Sequence, residues 1–134
     1  MAADTQIPIT CDRDVVTARQ QGRAVALHAG FSGSEATLIA TAISELARNI
    51  VAYASQGSIT LKRVNGSSGT RGLTIVADDS GPGIADVAQA LRDGYSSSGG
   101  LGLGLPGVRR LMDEFDIASR SGSGTTVTVT KWRL

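Results

Sequence analysis

The sequence predicts an α+β fold: a two-layer sandwich in which a mostly antiparallel sheet carries its helices on one face. The length of 134 residues favours a single domain over residues 1–134. Strand-like and helix-like segments do not alternate one for one, so a doubly wound parallel sheet fits poorly. Two pairs of strand-like segments are instead each joined by a short glycine-rich turn, which is typical of antiparallel hairpins.

Composition excludes several classes of function. The chain is 41% hydrophobic and 19% charged, which is ordinary for a soluble globular domain, and its net charge of +1 gives no general case for nucleic-acid binding. A single cysteine, Cys11, excludes an internal disulfide, and a single histidine, His28, excludes a multi-histidine metal site. We expect His28 to be a partly buried structural residue. Neither a signal peptide nor an apolar run of about 20 residues is present, which predicts a cytoplasmic protein with no membrane partner.

The first segment predicts an edge strand and a helix. Residues 6–10 suit a short edge strand, because Pro8 cannot donate a hydrogen bond to a neighbouring strand. A helix is predicted from Asp12, with Gly30 as its C-terminal stop. Its apolar stripe, which contains small residues that favour close helix packing, consists of Val15, Ala18, Gly22, Val25 and Ala29.

A second helix follows at once. Ser32 and Glu35 have the spacing of a capping box, in which each side chain accepts from the other residue's backbone N–H. We expect this helix to run to about Ser55 and to be ended by Gly57. Its apolar stripe consists of Ile39, Ile43, Leu46 and Ile50.

The rest of the chain predicts four strands, two short helices and one glycine-rich segment. The strands cover 59–64, 73–77, 117–120 and 126–132, with loops at 65–69 and 121–124. The helices cover 85–92 and 106–114, and the Ser/Gly segment between them covers 94–104. Pro106 lies in the first turn of the last helix, where its missing N–H costs nothing.

Glu45 and Asn49 are the first candidate site residues. They lie four residues apart on the second helix and therefore on one face. That face borders the apolar stripe, whereas the solvent-facing side is predicted at Thr37, Thr41, Ser44 and Arg48. At the edge of a buried face a carboxylate can accept a proton and an amide oxygen can bind a metal ion. A semi-exposed surface pair is the alternative explanation of the same spacing.

A second candidate follows the strand over 73–77. Asp79 shares the alternation of that strand's apolar set, so its side chain should point toward the helices, whereas Asp78 should point away. A buried carboxylate needs hydrogen-bond donors, and the exocyclic amine of a purine would supply one. Gly81 and Gly83 would let the backbone approach a flat ligand closely. The alternative is a tight turn closed by an aspartate side chain.

The third candidate is the glycine-rich string before the last helix. Backbone N–H groups ahead of a helix N-terminus can bind phosphates. The string matches neither the dinucleotide fingerprint nor a P-loop, so a flexible linker remains the alternative. The residues of interest are Gly100, Gly102, Leu103 and Gly104.

Taken in order, these three motifs resemble the Bergerat ATP-binding fold of the GHKL superfamily, which includes type II topoisomerases, heat-shock chaperones, histidine kinases and anti-sigma-factor serine kinases. Gly124-Thr125 looks like that family's Gly-Thr pair, whose hydroxyl supports the adenine contact. The resemblance implies ATP and Mg²⁺ as ligands. Under it, Asp79 contacts adenine, Asn49 binds Mg²⁺, and Glu45 polarises the substrate hydroxyl. The remaining nucleotide contacts would come from Gly81, Gly83, Gly100, Gly102, Leu103, Gly104 and Thr125.

The last helix narrows the resemblance further. The segment Leu-Pro-Gly-Val-Arg-Arg-Leu-Met-Asp-Glu-Phe over 105–115 is similar to the RsbT-type switch kinase of the bacterial stressosome. That similarity implies an ATP-dependent serine/threonine kinase acting on STAS-domain proteins of the stressosome. It also implies that the released kinase activates a PP2C-type phosphatase or another output protein.

Two other hypotheses about function remain open. The chain could be an anti-sigma factor of the same superfamily that sequesters a sigma factor, or a nucleotide-gated binding module with little catalysis. In one respect the chain departs from the family it resembles. The segment before the glycine string carries Ser96, Ser97 and Ser98 where relatives often have a basic residue. The cations that could neutralise the γ-phosphate are Arg92, Arg109 and Arg110, although the last two also suit a solvated helix face.

Overall fold

The computed structural model describes residues 4–54, 56–81, 104–120 and 122–133. Its elements are β1 (Thr5–Ile9), α1 (Asp12–His28), α2 (Gly33–Tyr53), β2 (Gly57–Asn65), a 3₁₀ turn (Ser67–Gly69), β3 (Arg71–Asp79), α3 (Gly104–Leu111), β4 (Glu114–Arg120) and β5 (Gly124–Trp132). The strands form one sheet in the order β1-β2-β3-β5-β4, and every neighbouring pair is antiparallel. This architecture confirms the predicted antiparallel α+β sandwich. The helix predicted over 85–92 and most of the Ser/Gly segment lie outside the described residues.

The helix α1 packs closely on α2, as its small residues predicted. A Cβ added at Gly22 would lie only 2.3 Å from the Cδ1 atom of Ile43, so any larger residue would have to displace the end of this side chain. Gly30 has a φ of +97°, which confirms it as the stop after α1. His28, however, is exposed, and the prediction that it is partly buried was wrong. It lies about 200° around the helix from the buried Ala26, because successive residues turn by about 100°.

The helix α2 begins at the predicted capping box. Ser32 Oγ accepts from the backbone N–H of Glu35 at 3.1 Å, and Glu35 Oε1 accepts from the backbone N–H of Ser32 at 3.3 Å. The helix ends at Tyr53, slightly before the predicted end. Gly57 does not end it but opens β2, where a Cβ would lie 2.5 Å from the carbonyl oxygen of Asp78.

The buried face of α2 is wider than the apolar stripe. Ser44, predicted on the solvent-facing side, is only 9% exposed. Its hydroxyl donates to the carbonyl oxygen of Thr41 at 2.9 Å, so its burial leaves no polar group unsatisfied. The helix α3 packs against α2, and a sequence pattern local to α2 does not contain that contact.

The sheet separates a buried face from an open one. Isoleucine, leucine and valine side chains at alternate positions face the helices and form one hydrophobic cluster with them. The strand β3 continues to Asp79, two residues beyond its predicted end. The opposite face carries threonines, of which Thr74 and Thr130 bond through their hydroxyls at 2.7 Å.

The segment that begins at Gly104 was predicted least accurately. The last helix covers Gly104–Leu111 rather than 106–114, and β4 begins at Glu114 rather than 117. The reason is long-range pairing: the backbone N–H of Asp113 donates to the carbonyl oxygen of Thr130 at 2.9 Å, which draws the chain into the sheet. Among the described helices, none is both long and apolar enough to cross a membrane.

Candidate active site

Asp79 ends β3 with its side chain on the helix-facing side, as the alternation predicted. Its Oδ1 atom accepts from the backbone N–H of Gly81 at 2.9 Å and from that of Thr125 at 3.3 Å. The first contact is the aspartate-closed turn that the sequence left as the alternative. It does not exclude ligand binding, because a carboxylate has a second oxygen. Among the described residues, Oδ2 has no partner.

The side chain of Asp78 lies on the other side of the sheet. It is exposed on the open face of the sheet, where its Oδ1 atom accepts from the hydroxyl of Thr126 at 2.7 Å. Neighbouring aspartates therefore lie on opposite faces, and only Asp79 lies beside the helices.

The backbone around Asp79 is crowded. Gly124 has a φ of +92°, and a Cβ there would lie 2.2 Å from the carbonyl oxygen of Asp79. A Cβ at Gly81 would lie 2.6 Å from the Cβ of Ala54, at the end of α2. Gly81 was predicted to admit a flat ligand, but in the described structure it is already required by contact with the protein itself. The turn after Asp79 is thus in close contact with both β5 and the end of α2.

Thr125 lies opposite Asp79 in the register between β3 and β5. Its backbone N–H contacts Asp79, whereas its hydroxyl pairs with Ser119 Oγ at 2.8 Å. Ser119 was not identified from the sequence. The Thr125 hydroxyl therefore already has a protein partner on β4, while the backbone N–H makes the contact to the carboxylate.

Glu45 is the one charged side chain in the described core, at 4% exposure. Its Oε2 atom accepts from the backbone N–H of Gly104 at 3.2 Å, and its Oε1 atom pairs with the guanidinium of Arg48. Both oxygens of this buried carboxylate therefore have a donor, which a buried charge requires. The lone pairs that remain can still accept from a substrate.

Arg48 is a site residue that the sequence reasoning missed. It was placed on the solvent-facing side of α2, and its side chain is indeed 43% exposed. It nevertheless turns toward Glu45, three residues earlier. Opposite charges at this helical spacing are a known signal of an ion pair, so the pattern could have been found.

Asn49 is half-buried one turn beyond Glu45. An amide oxygen beside a carboxylate suits Mg²⁺, which takes one or two protein oxygens together with substrate phosphates and waters. No group of three or more His, Cys, Asp or Glu residues in the described ranges could hold a metal ion by itself. A carboxylate and an amide are donors that Mg²⁺ can share with the phosphates of a nucleotide.

Gly104 is the only member of the predicted glycine string within the described residues. It opens α3, is buried, and has a φ of +67°. Its N–H, predicted to face a phosphate, is used by Glu45. The other predicted contacts, Gly83, Gly100, Gly102 and Leu103, lie outside the described ranges, as does Arg92. Arg109 and Arg110 are exposed on α3.

The two halves of the site are joined by α2. Glu45 and Asn49 lie on this helix, and Ala54 at its end contacts Gly81 beside Asp79. At 1.5 Å per residue, Glu45 and Ala54 are about 13 Å apart along the axis. One end of the site thus offers a carboxylate at a tight turn, and the other a carboxylate, an amide and a guanidinium.

Comparisons with known proteins identify the family of the chain. Residues 7–131 match the family model described as a histidine kinase-like ATPase domain. The chain is 51% identical over 126 residues to the serine/threonine-protein kinase RsbT of Bacillus subtilis (strain 168), covering 94% of each protein. It is 30% identical over 97 residues to an anti-sigma F factor of Caldanaerobacter subterraneus, covering 70% of this chain and 68% of that one.

Two solved structures share the fold at low identity. The mycobacterial sensor histidine kinase MprB superposes with a TM-score of 0.56 at 14% identity, over 98% of this chain and 97% of that one. Full-length ShkA in complex with AMPPNP superposes with a TM-score of 0.55 at 18% identity, over 95% of this chain and 31% of that one.

Proposed function

Because the chain belongs to the histidine kinase-like ATPase family, as a serine/threonine kinase of the RsbT type, we propose that it transfers phosphate from Mg-ATP to STAS-domain proteins of the stressosome. On release from them it activates a downstream regulator such as a PP2C-type phosphatase. The activity is proposed for the cytoplasm, which supplies ATP. These partners rest on the identity with RsbT, which extends over nearly the whole chain.

The observation that carries the proposal is the division of the site into two ends joined by α2. Asp79 keeps one carboxylate oxygen without a partner among the described residues, which suits the amine donor of adenine. At 1.5 Å per residue, Glu45 and Asn49 lie about 13 Å and about 7.5 Å along α2 from Ala54, which contacts the turn after Asp79. An extended mononucleotide can therefore place its base at one end and its phosphates at the other.

Phosphate transfer requires a positioned hydroxyl and a proton acceptor. In our proposal the serine or threonine oxygen of the substrate forms a bond to the γ-phosphorus, and the bond from that phosphorus to the ADP oxygen breaks. The hydroxyl proton moves to Glu45, whose carboxylate Arg48 and Gly104 hold in place. When bound, Mg²⁺ neutralises phosphate charge, and Asn49 is the residue we assign to hold it.

The main alternative is an anti-sigma factor of the same superfamily that sequesters a sigma factor. It is favoured by the anti-sigma F factors among the relatives, at 26–30% identity. The higher identity and wider coverage of RsbT favour the switch kinase.

The decisive experiment incubates the chain with γ-labelled ATP, Mg²⁺ and either a STAS-domain protein or a sigma factor. We expect label on a serine or threonine of the STAS protein and no stable complex with the sigma factor. A matched reaction with Glu45→Gln tests whether the label depends on this site. Stable capture of the sigma factor would support the anti-sigma alternative, and ATP binding without any transfer would support a nucleotide-gated binding module.

A further inference from the structure

A basic cleft lies at the end of the sheet opposite Asp79. Arg63 on β2 and Arg71 on β3 both share the alternation of the helix-facing residues, and they lie diagonally across the β2–β3 pair. His28 and Ala29, at the end of α1, form the other wall. The cavity has a volume of about 330 Å³ and is completed by Val64, Asn65 and Gly72. Among the described residues that line it, none is acidic.

A third arginine stands beside the cleft. Arg133 follows β5, and its backbone N–H donates to the carbonyl oxygen of Arg71 at 2.8 Å, so the two residues are cross-strand neighbours. Within the described ranges no ion pair is formed by Arg63, Arg71 or Arg133. Like charges at neighbouring positions of a sheet destabilise it, yet these three arginines lie side by side.

Part of this cluster has a local explanation. A Cβ at Gly30 would lie 2.7 Å from the Cζ atom of Arg133, so this guanidinium covers the C-terminal end of α1. Helix C-termini carry partial negative charge, which favours both Arg133 and His28 there. The same effect does not account for Arg63 and Arg71, which are exposed on the strands.

We propose that this basic cleft is a docking surface for an acidic segment of a protein partner. Guanidinium groups match carboxylates in geometry as well as charge. The three arginines come from three adjacent strands, whose outer two are about 10 Å apart at ~4.8 Å per strand. A single phosphate is too small to span that width, whereas alternate carboxylates of an extended peptide are about 7 Å apart.

The surface is separate from the candidate active site. From Arg71 to Asp79 the strand β3 rises about 26 Å, at ~3.3 Å per residue. A partner segment in the cleft therefore leaves the nucleotide end open. Docking and ATP binding can then be measured independently on the same variants, and the docking proposal does not depend on the kinase proposal.

The test measures binding of a fluorescein-labelled peptide of six Ser-Glu repeats to the full chain by anisotropy. The variant is the double change Arg63→Glu with Arg71→Glu. The matched control is Arg13→Glu with Arg19→Glu, which alters net charge equally at two exposed positions of α1. We expect the cleft variant to weaken binding by about tenfold or more, and the control by less than about twofold. ATP affinity should be unchanged in both.

Three outcomes would overturn the proposal. Equal weakening by both double variants would mean that only net charge matters. Equal binding of a Ser-Gln repeat peptide would mean that the cleft does not read carboxylates. Displacement of the acidic peptide by inorganic phosphate at matched concentration would mean that the cleft is a small-anion site.

Discussion

Asp79 and Glu45 are both carboxylates of the candidate site, but different kinds of structure hold them. Asp79 is fixed by backbone N–H groups of its own turn and of the paired strand β5. Glu45 is fixed by one side chain, Arg48, and by the first residue of another helix, Gly104. Backbone donors remain when neighbouring side chains change, whereas side-chain donors do not. We therefore expect the position of Asp79 to tolerate changes of neighbouring side chains, apart from the required glycines Gly81 and Gly124, and the position of Glu45 to be sensitive to loss of the Arg48 side chain.

The largest effect is expected at Glu45. The change Glu45→Gln keeps the side-chain volume and removes the proton acceptor. We expect the phosphotransfer rate to fall by about 10²–10⁴-fold, while ATP affinity stays within about twofold. Single-turnover transfer and calorimetric titration give the two quantities. A normal transfer rate onto the STAS partner would remove Glu45 from the role of base.

Asp79→Asn should act on binding rather than on chemistry. The amide oxygen still accepts from both backbone N–H groups, so the fold is retained, but the charge that strengthens the bond to adenine is lost. A charged acceptor contributes about 1.5–3 kcal/mol, which corresponds to about 10–150-fold in ATP affinity.

The matched control is Asp78→Asn, since this neighbour lies on the open face with Thr126. It should leave ATP affinity almost unchanged. If both variants lose affinity equally, the assignment by strand alternation fails.

Asn49→Ala should show which part of ATP affinity depends on Mg²⁺. We expect ATP affinity to become insensitive to Mg²⁺, because the residue assigned to hold the ion is gone. Titrations with Mg²⁺ and with EDTA measure this directly, and Glu45→Gln, one turn away, serves as the comparison. Full retention of the magnesium effect in Asn49→Ala would show that another residue binds the ion.

Arg48→Met tests how strongly the phosphotransfer rate depends on the Arg48 side chain that holds the Glu45 carboxylate. The substitution keeps the apolar stem but removes the charge beside Glu45, so the carboxylate loses one of its two donors. We expect the rate to fall by about tenfold through misplacement of the base, with ATP affinity unchanged. Arg48→Lys should recover part of the rate. A loss of ATP affinity would instead indicate that Arg48 contacts the phosphates.

The smallest effect is expected at Thr125. In Thr125→Val the backbone N–H to Asp79 persists and only the hydroxyl contact to Ser119 is lost. We expect a loss of about 1 kcal/mol in the free energy of unfolding and a change below about threefold in ATP affinity. Ser119→Ala is the matched partner for a double-mutant cycle by denaturant unfolding. A large loss of ATP affinity in Thr125→Val alone would show that the hydroxyl supports adenine directly.

Features encoded within one turn or one strand could be predicted. The capping box of Ser32 and Glu35 is confirmed, and so is the inward alternation of Asp79 against Asp78. Most of what failed depends on contacts distant in sequence; the exception is His28, whose exposure follows from helical spacing. The early end of α3 at Leu111 requires the pairing of Asp113 with Thr130, and the burial of Ser44 is not contained in the local pattern of α2.

The site residues divide in the same way. Glu45 and Asn49 could be found because helical spacing places them on one face. The N–H of Gly104 at Glu45 and the hydroxyl of Ser119 at Thr125 could not, because each joins segments that the local pattern leaves unrelated.

The position of β5 has a consequence for how the protein is made. This strand lies inside the sheet, between β3 and β4, so β4 can join the sheet only after β5 has inserted. The Thr125 N–H that fixes Asp79 comes from 46 residues further along the chain. Contacts of such high sequence separation form late, because a long loop must close first. During synthesis on the ribosome, a chain that has not yet released β5 has β3 as an open edge and Asp79 without its distant donor.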